Sequence, residues 1–283
     1  MRAAVGIVWI ASYPKSGNTW ARAFLANYAE NGKHSVDINT LSAFGYSDGN
    51  IQPFETVSGR PFSSLNDPEI AALRPRAQAL LSFHGAHTPV KTHAAIGSVH
   101  SAPTINMAVT KGAIYIVRNP LDVVLSYADH YGLTHAEATD ALMSPTTAIA
   151  RSNVTAPEHL GDWATHVRSW TGTPSPILKV LRYEDMHLAP EQTFAAMLPF
   201  MGFKLDSARL TKAVRHARFK ELARQETDAG FREKSASQQR FFRSGEFGHW
   251  RAQLAPDLVE KLTNQFRPEM QRFGYLDASG NPI

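Results

Sequence analysis

Apolar positions along this chain alternate between two rhythms. Residues 5–11 form an apolar run of strand length. The next segment repeats at helical spacing, with Trp20, Phe24, Leu25 and Tyr28 on one side and Gly32 as the stop. Residues 89–92 read as a short strand, the β-branched and aromatic run 114–117 as a buried one, and 177–181 as another. Helical patterns lie between them. One is near 68–83, and one covers 190–201 and stops at Gly202. A third is capped by Asn119, carries Pro120 in its first position, and places Leu121, Val124, Leu125 and Ala128 on its apolar face. Trp163 and Trp170, seven apart, share a helix face and belong to the core. Residues 34–66, rich in Gly, Ser, Asn, Asp and Pro, read as a long loop.

Strands separated by helices predict an α/β fold, a central parallel sheet with helices on both faces. Ligands of such sheets bind beyond the carboxyl ends of the strands. Lys15, His93, Arg118 and Tyr183 each fall just past a predicted strand end, which gathers them into one site on topology alone. With no repeat and no low-complexity linker, residues 1–283 read as a single domain.

Composition narrows the chemistry. The longest apolar runs fall short of the roughly 18 residues that suggest a membrane span. Arg2 and the first apolar run resemble a leader, but the run continues straight into a turn rather than a cleavage site, so it reads as the first strand. The absence of cysteine excludes a disulfide framework and thiol catalysis and is compatible with a cytoplasmic setting. Net charge is +4, with basic residues spread along the chain rather than in a stripe, which favours anionic ligands weakly and argues against nucleic acid.

The turn after the first strand, Tyr13-Pro14-Lys15-Ser16-Gly17-Asn18-Thr19-Trp20, has the form of a phosphate cradle. Backbone N–H groups at a helix N-terminus point at an anion there, Lys15 adds a cation, and Ser16 and Thr19 add hydroxyls. It is not the nucleotide triphosphatase loop, because Lys precedes Gly and no glycine stands five residues earlier. The string resembles the 5′-phosphosulfate loop, Y-P-K-S-G-T-T-W, of the cytosolic-type sulfotransferases. Four further blocks follow in that family's order. The run from Ile114 through Arg118 to Ser126 and Tyr127 resembles its 3′-phosphate loop. Lys91-Thr92-His93 resembles its K-T-H, Tyr183-Glu184-Asp185-Met186 its Y-E-D-M, and Arg243-Ser244-Gly245 with Gly248-His249-Trp250 its late R-K-G…G-D-W.

The resemblance implies a P-loop-NTPase-like sulfotransferase fold and transfer of a sulfuryl group from 3′-phosphoadenosine 5′-phosphosulfate (PAPS), leaving adenosine 3′,5′-bisphosphate (PAP). The acceptor would be the hydroxyl, or secondarily the amine, of a small molecule, and the family needs no metal. His93 would be the general base and Lys91 would support the sulfonate. Lys15, Ser16, Gly17, Asn18 and Thr19 would hold the 5′-phosphate. Arg118 and Ser126, with Arg243, Ser244 and Gly245, would hold the 3′-phosphate. Trp20, Phe219 and Tyr183 would flank the adenine. Ser244 stands where the family has Lys, which removes one cation that Arg240 or Arg251 could replace; His249 stands where Asp is usual; and of the family's Thr-Ser-Phe only Phe219 is matched, in Ala217-Arg218-Phe219. No copy of the dimerisation motif of many animal members is present, so oligomeric state stays open.

Other readings remain. A kinase or NTPase with an altered loop would need an acidic Mg²⁺ ligand, for which Tyr183-Glu184-Asp185 is the available stretch. A nucleotide-binding protein with weakened activity is compatible with Ser244. His84, His87 and His93 lack the spacing of a closed metal site. Residues 223–244, polar and mixed in charge, read as a surface loop or as a lid that brings Arg243 over the donor. The acceptor pocket is expected from 34–66, the stretch after His93, and 130–160, with Phe44, Tyr46, Phe54, Phe83 and Tyr131 as candidate walls.

Overall fold

The computed structural model describes residues 5–41, 46–243 and 245–283; Phe44 and Ser244 lie outside the described residues. Five parallel strands form the central sheet: β1 (Ile7–Ser12), β2 (Tyr46–Ser47), β3 (Thr88–Thr92), β4 (Thr110–Val117) and β5 (Leu178–Arg182), in the order β2-β3-β1-β4-β5. The main helices are α1 (Asn18–Glu30), α2 (Asp67–Leu81), α3 (Pro120–Tyr131), α4 (Trp163–Thr171), α5 (Phe219–Ala229) and α6 (Pro256–Arg272).

β1 is buried on both faces, which is why its sequence is a continuous apolar run rather than an alternation. Ile7, Trp9 and Ala11 face a core that includes Leu121 and Val124 of α3, Trp163 and Trp170 of α4, and Phe266 and Met270 of α6. Val8 and Ile10 face the opposite core, with Phe24 and Tyr28 of α1, Met186, Phe194 and Leu198. The loops leaving β1 and β4 therefore diverge to opposite faces and open a crevice between them.

Local signals account for most boundaries. The Asn66 side chain accepts from Glu69 N and the Glu69 carboxylate accepts from Asn66 N, both at 2.9 Å, a closed capping box on α2. Asn119 accepts from Leu121 N at 3.0 Å and starts α3 ahead of Pro120. Three expectations need correction. α1 ends at Asn31, whose left-handed φ of 54° and bond to Asn27 O do what Gly32 was expected to do. The stretch 190–201 is two short helices, Pro190–Ala195 and Leu198–Met201, because Pro199 has no N–H to continue the first. Residues 34–66 contain β2 and a helix, Gln52–Ser58, anchored by the buried Phe54. Among the described residues no helix is long and apolar enough to cross a membrane.

The segment after α5 returns over the cleft and is tied down by carboxylates. Glu226 accepts the backbone N–H of Phe241 at 2.7 Å and of Phe242 at 2.8 Å. Asp122 of α3 accepts from Gly248 N at 2.6 Å and Trp250 N at 3.2 Å. Replacing Glu226 by Ala strands two N–H donors, one of them buried, and should cost about 2–3 kcal/mol. Urea denaturation reads this directly, and an unchanged midpoint would show that these bonds hold nothing together.

Candidate active site

All five strands point their carboxyl ends at one cleft of about 370 Å³, lined among others by Lys15, Ser47, His93, Arg118 and Tyr183. The register aligns these ends. Ala11 pairs with Thr92, Ser12 with Ile116, and Val117 with Arg182, so the residues just beyond come out at one level.

The loop after β1 is built to present backbone donors. Lys15 has φ 67° and Gly17 φ 104°, the left-handed region that a lysine rarely occupies. A Cβ on Gly17 would stand 2.6 Å from the Tyr183 ring, so both conformation and space require glycine. The Asn18 side chain is committed inward. Its Nδ2 donates to Ile10 O at 2.8 Å and Ser12 Oγ at 3.3 Å, and its Oδ1 accepts from Arg22 Nε at 3.1 Å. Asn18 thus welds loop to strand, and only its backbone N–H is left to serve a ligand. Thr19 accepts from Arg22 Nη2 at 3.2 Å and donates to Glu233 at 3.4 Å.

Among the buried polar atoms here with no hydrogen-bond partner among the described residues are Lys15 Nζ, Ser16 Oγ and Arg118 Nε. Lys15 Nζ sits 3.9 Å from the Phe241 ring centroid, and burial, then Arg118, lowers its pKa from 10.5 to about 7. Arg118 donates to Lys15 O at 2.9 Å and lies 4.2 Å over the Tyr183 ring, linking the loops after β1, β4 and β5. Buried donors left open around a cation suit an anionic ligand.

His93 stands across the cleft. Its Nδ1 donates to Ser12 O at 2.8 Å, which fixes the tautomer and leaves Nε2 as the basic nitrogen. Burial, then Lys91, pushes the pKa well below 6.5, so the ring is neutral at pH 7. Glu158 accepts the His93 backbone N–H at 2.6 Å. His166 donates Nε2–H to His93 O at 2.9 Å and takes Tyr115 Oη at 2.8 Å on its other nitrogen. Both backbone polar groups of His93 are therefore held.

Ser126, Phe219, Arg243 and Gly245 line the other end of the cleft. Gly245 has φ 65°, and a Cβ there would fall 2.1 Å from the Phe219 ring. Arg243 lies 3.9 Å from Asp129 and is about half exposed. Trp20 is edge-on to Tyr183 with ring centroids 5.9 Å apart, and both line the cleft. Of the candidate acceptor walls, Tyr131 lines the cleft, whereas Phe54 packs in a separate core with Phe62, Phe83 is exposed, and Tyr46 stacks on His84. His87 lies against Gly202, so the three histidines have separate surroundings. Glu184 accepts from Asn119 N and from Tyr275 Oη, each at 3.0 Å, so its carboxylate secures the loop after β4 rather than facing the cleft.

Sequence reasoning missed Arg22 and Glu233. Arg22 is 1% exposed and donates from Nη2 to Glu233 at 2.9 and 2.7 Å. Helical spacing puts Arg22 on the same face as Asn18 and Thr19, a readable signal. Glu233 arrives from a distant loop and leaves none.

An α/β sheet with an anion loop after β1, a second cation after β4 and a neutral histidine after β3 defines a group-transfer enzyme for anionic donors. The model of the sulfotransferase domain matches residues 6–274, so the chain belongs to the sulfotransferase domain family, whose reaction is sulfuryl transfer. It is 24% identical to sulfotransferase 1A1 of Canis lupus familiaris over 94% of this chain and 83% of that one. It is also 24% identical to cytosolic sulfotransferase 8 of Arabidopsis thaliana over 94% of this chain and 77% of that one. Retinol dehydratase, solved with retinol and PAP, shares the fold at TM-score 0.64 and 19% identity, covering 96% of this chain and 82% of that one.

Following the lysine side-chain resonances by NMR as pH is varied should show Lys15 titrating near 7, the signal disappearing in Lys15→Met. A midpoint near 10 would mean that the amine is solvated and the loop open.

Proposed function

We propose that residues 1–283 act as one domain that moves the sulfuryl group of PAPS onto the hydroxyl of a small molecule. The reading rests chiefly on the unpartnered Lys15 Nζ, Ser16 Oγ and Arg118 Nε, buried around the loop after β1 and facing the neutral His93. Such donors fit a doubly phosphorylated nucleotide better than a neutral ligand. Lys15, Ser16, Thr19 and the backbone N–H groups of Gly17 and Asn18 hold the 5′-phosphate. Arg118, Ser126, Arg243, Ser244 and Gly245 hold the 3′-phosphate, and Trp20, Phe219 and Tyr183 enclose the adenine. The relatives' naming as cytosolic supports a cytoplasmic setting.

The chemistry follows from charge. The acceptor oxygen attacks sulfur while His93 Nε2 takes its proton. The bond from sulfur to the 5′-phosphate oxygen breaks with its electron pair, and PAP leaves. Lys15 and the loop N–H groups stabilise the charge that grows on that phosphate, and Lys91 stabilises the sulfonate in flight. Because burial and Lys91 keep His93 neutral, the base form persists on acidification through the ordinary histidine range.

A thermal shift with PAP beside ATP plus Mg²⁺ tests the donor. PAP at a hundred times its Kd should stabilise the fold by about 2.7 kcal/mol; a shift with ATP and Mg²⁺ alone would favour the kinase reading. Replacing His93 by Ala should lower kcat by about 10²–10⁴-fold while PAP affinity is kept. Unchanged turnover in His93→Ala would remove it as the base.

A further inference from the structure

Glu233 lies in the turn after α5, far from α1 in sequence, yet its carboxylate ends inside the cleft. Both of its oxygens accept from Arg22 Nη2, at 2.9 and 2.7 Å. Oε2 also accepts from Thr19 Oγ1 at 3.4 Å and stands 4.0 Å from Lys91 Nζ. A guanidinium, a hydroxyl and an ammonium thus converge on one oxygen, a donor set suited to an oxyanion. Its position is informative as well. Thr19 belongs to the anion loop after β1, Lys91 to the strand that delivers His93, and Oε2 sits between them.

Arg22 makes this site obligatory. It is 1% exposed and permanently charged, so it needs an anion beside it in every state of the protein. Glu233 can leave Arg22, because its side chain is 31% exposed and it stands in a turn rather than in a helix or strand. A second anion cannot share the place of Oε2. Burial would push the Glu233 carboxyl up, but Arg22 and Lys91 outweigh it and hold it at about 2, so the occupant is an anion throughout the neutral range.

Building on the sulfotransferase reading, we propose that Arg22 and Lys91 form the sulfonate subsite beside Thr19, and that Glu233 fills it until the donor's sulfonate displaces it. Arg22 then passes from carboxylate to sulfonate without standing unpaired. After transfer, the return of Glu233 to Arg22 helps to drive the sulfated product out.

PAP lacks the sulfonate, so it reports the phosphate sites without meeting Glu233. Titration calorimetry of wild type and Glu233→Gln with PAP and with PAPS, acceptor absent, separates the two. With the competing carboxylate removed, the PAPS Kd should fall about tenfold in Glu233→Gln, with the PAP Kd unchanged. Glu233→Asp, which keeps the charge but shortens the reach, should move PAPS in the same direction by less. Arg22→Gln should weaken PAPS more than PAP, since Arg22 also braces Asn18 and Thr19 of the anion loop. Equal weakening of both ligands in Glu233→Gln would make the residue a latch for its loop and overturn the proposal, as would unchanged or weaker PAPS binding alone. Wild type that binds neither ligand would overturn the donor reading first, and this inference with it.

Discussion

The cost of keeping several cations out of water at one end of a sheet governs this structure. Lys15, Lys91 and Arg118 line one cleft, and Arg22 lies buried against Thr19 and Glu233 of its wall. Their mutual repulsion in a medium less polarisable than water would expel them or neutralise them. The fold resists in three ways. Parallel strands hold each residue at a fixed level, carboxylates pin the loops, and aromatic faces cover the charges. Lys15 over Phe241 and Arg118 over Tyr183 are instances of the last. What remains uncompensated is the site's affinity for anions.

The pinning is indirect, which explains why so much buried acid serves so little chemistry. Glu158 and Glu184 hold backbone N–H groups of His93 and Asn119, while Asp122 and Glu226 hold the late loop. Each carboxylate accepts from the backbone of a cleft residue or of its chain neighbour. His166 does the same for His93 from the opposite side. Angular freedom at His93 is thus removed by groups bonded to its own backbone.

Much of this was legible in the chain. The anion loop, the K-T-H strand and the Asn119-Pro120 start are local signals, and the parallel sense of the sheet follows once the alternation is read. Failures have local causes too. Pro199 split a helix whose periodicity looked continuous, Asn31 took over a glycine's task, and a helix anchored by Phe54 sat in a stretch whose composition read as loop. Glu233 was invisible for another reason. Its partner is 211 residues away, and no pattern of period two or 3.6 connects them. Non-local charge pairs are decided by the path of the chain, not by its periodicity.

The contact between Gly245 and Phe219 has an evolutionary consequence. The glycine reserves a volume of one carbon atom against the ring face, at a φ that other residues resist. Neither position can drift alone. A side chain at 245 becomes tolerable only after the ring at 219 has shrunk, and a smaller residue at 219 opens a gap that glycine cannot fill. Lineages that change the aromatic wall of this cleft should therefore change the late loop with it, so the two segments vary as a couple although 26 positions separate them.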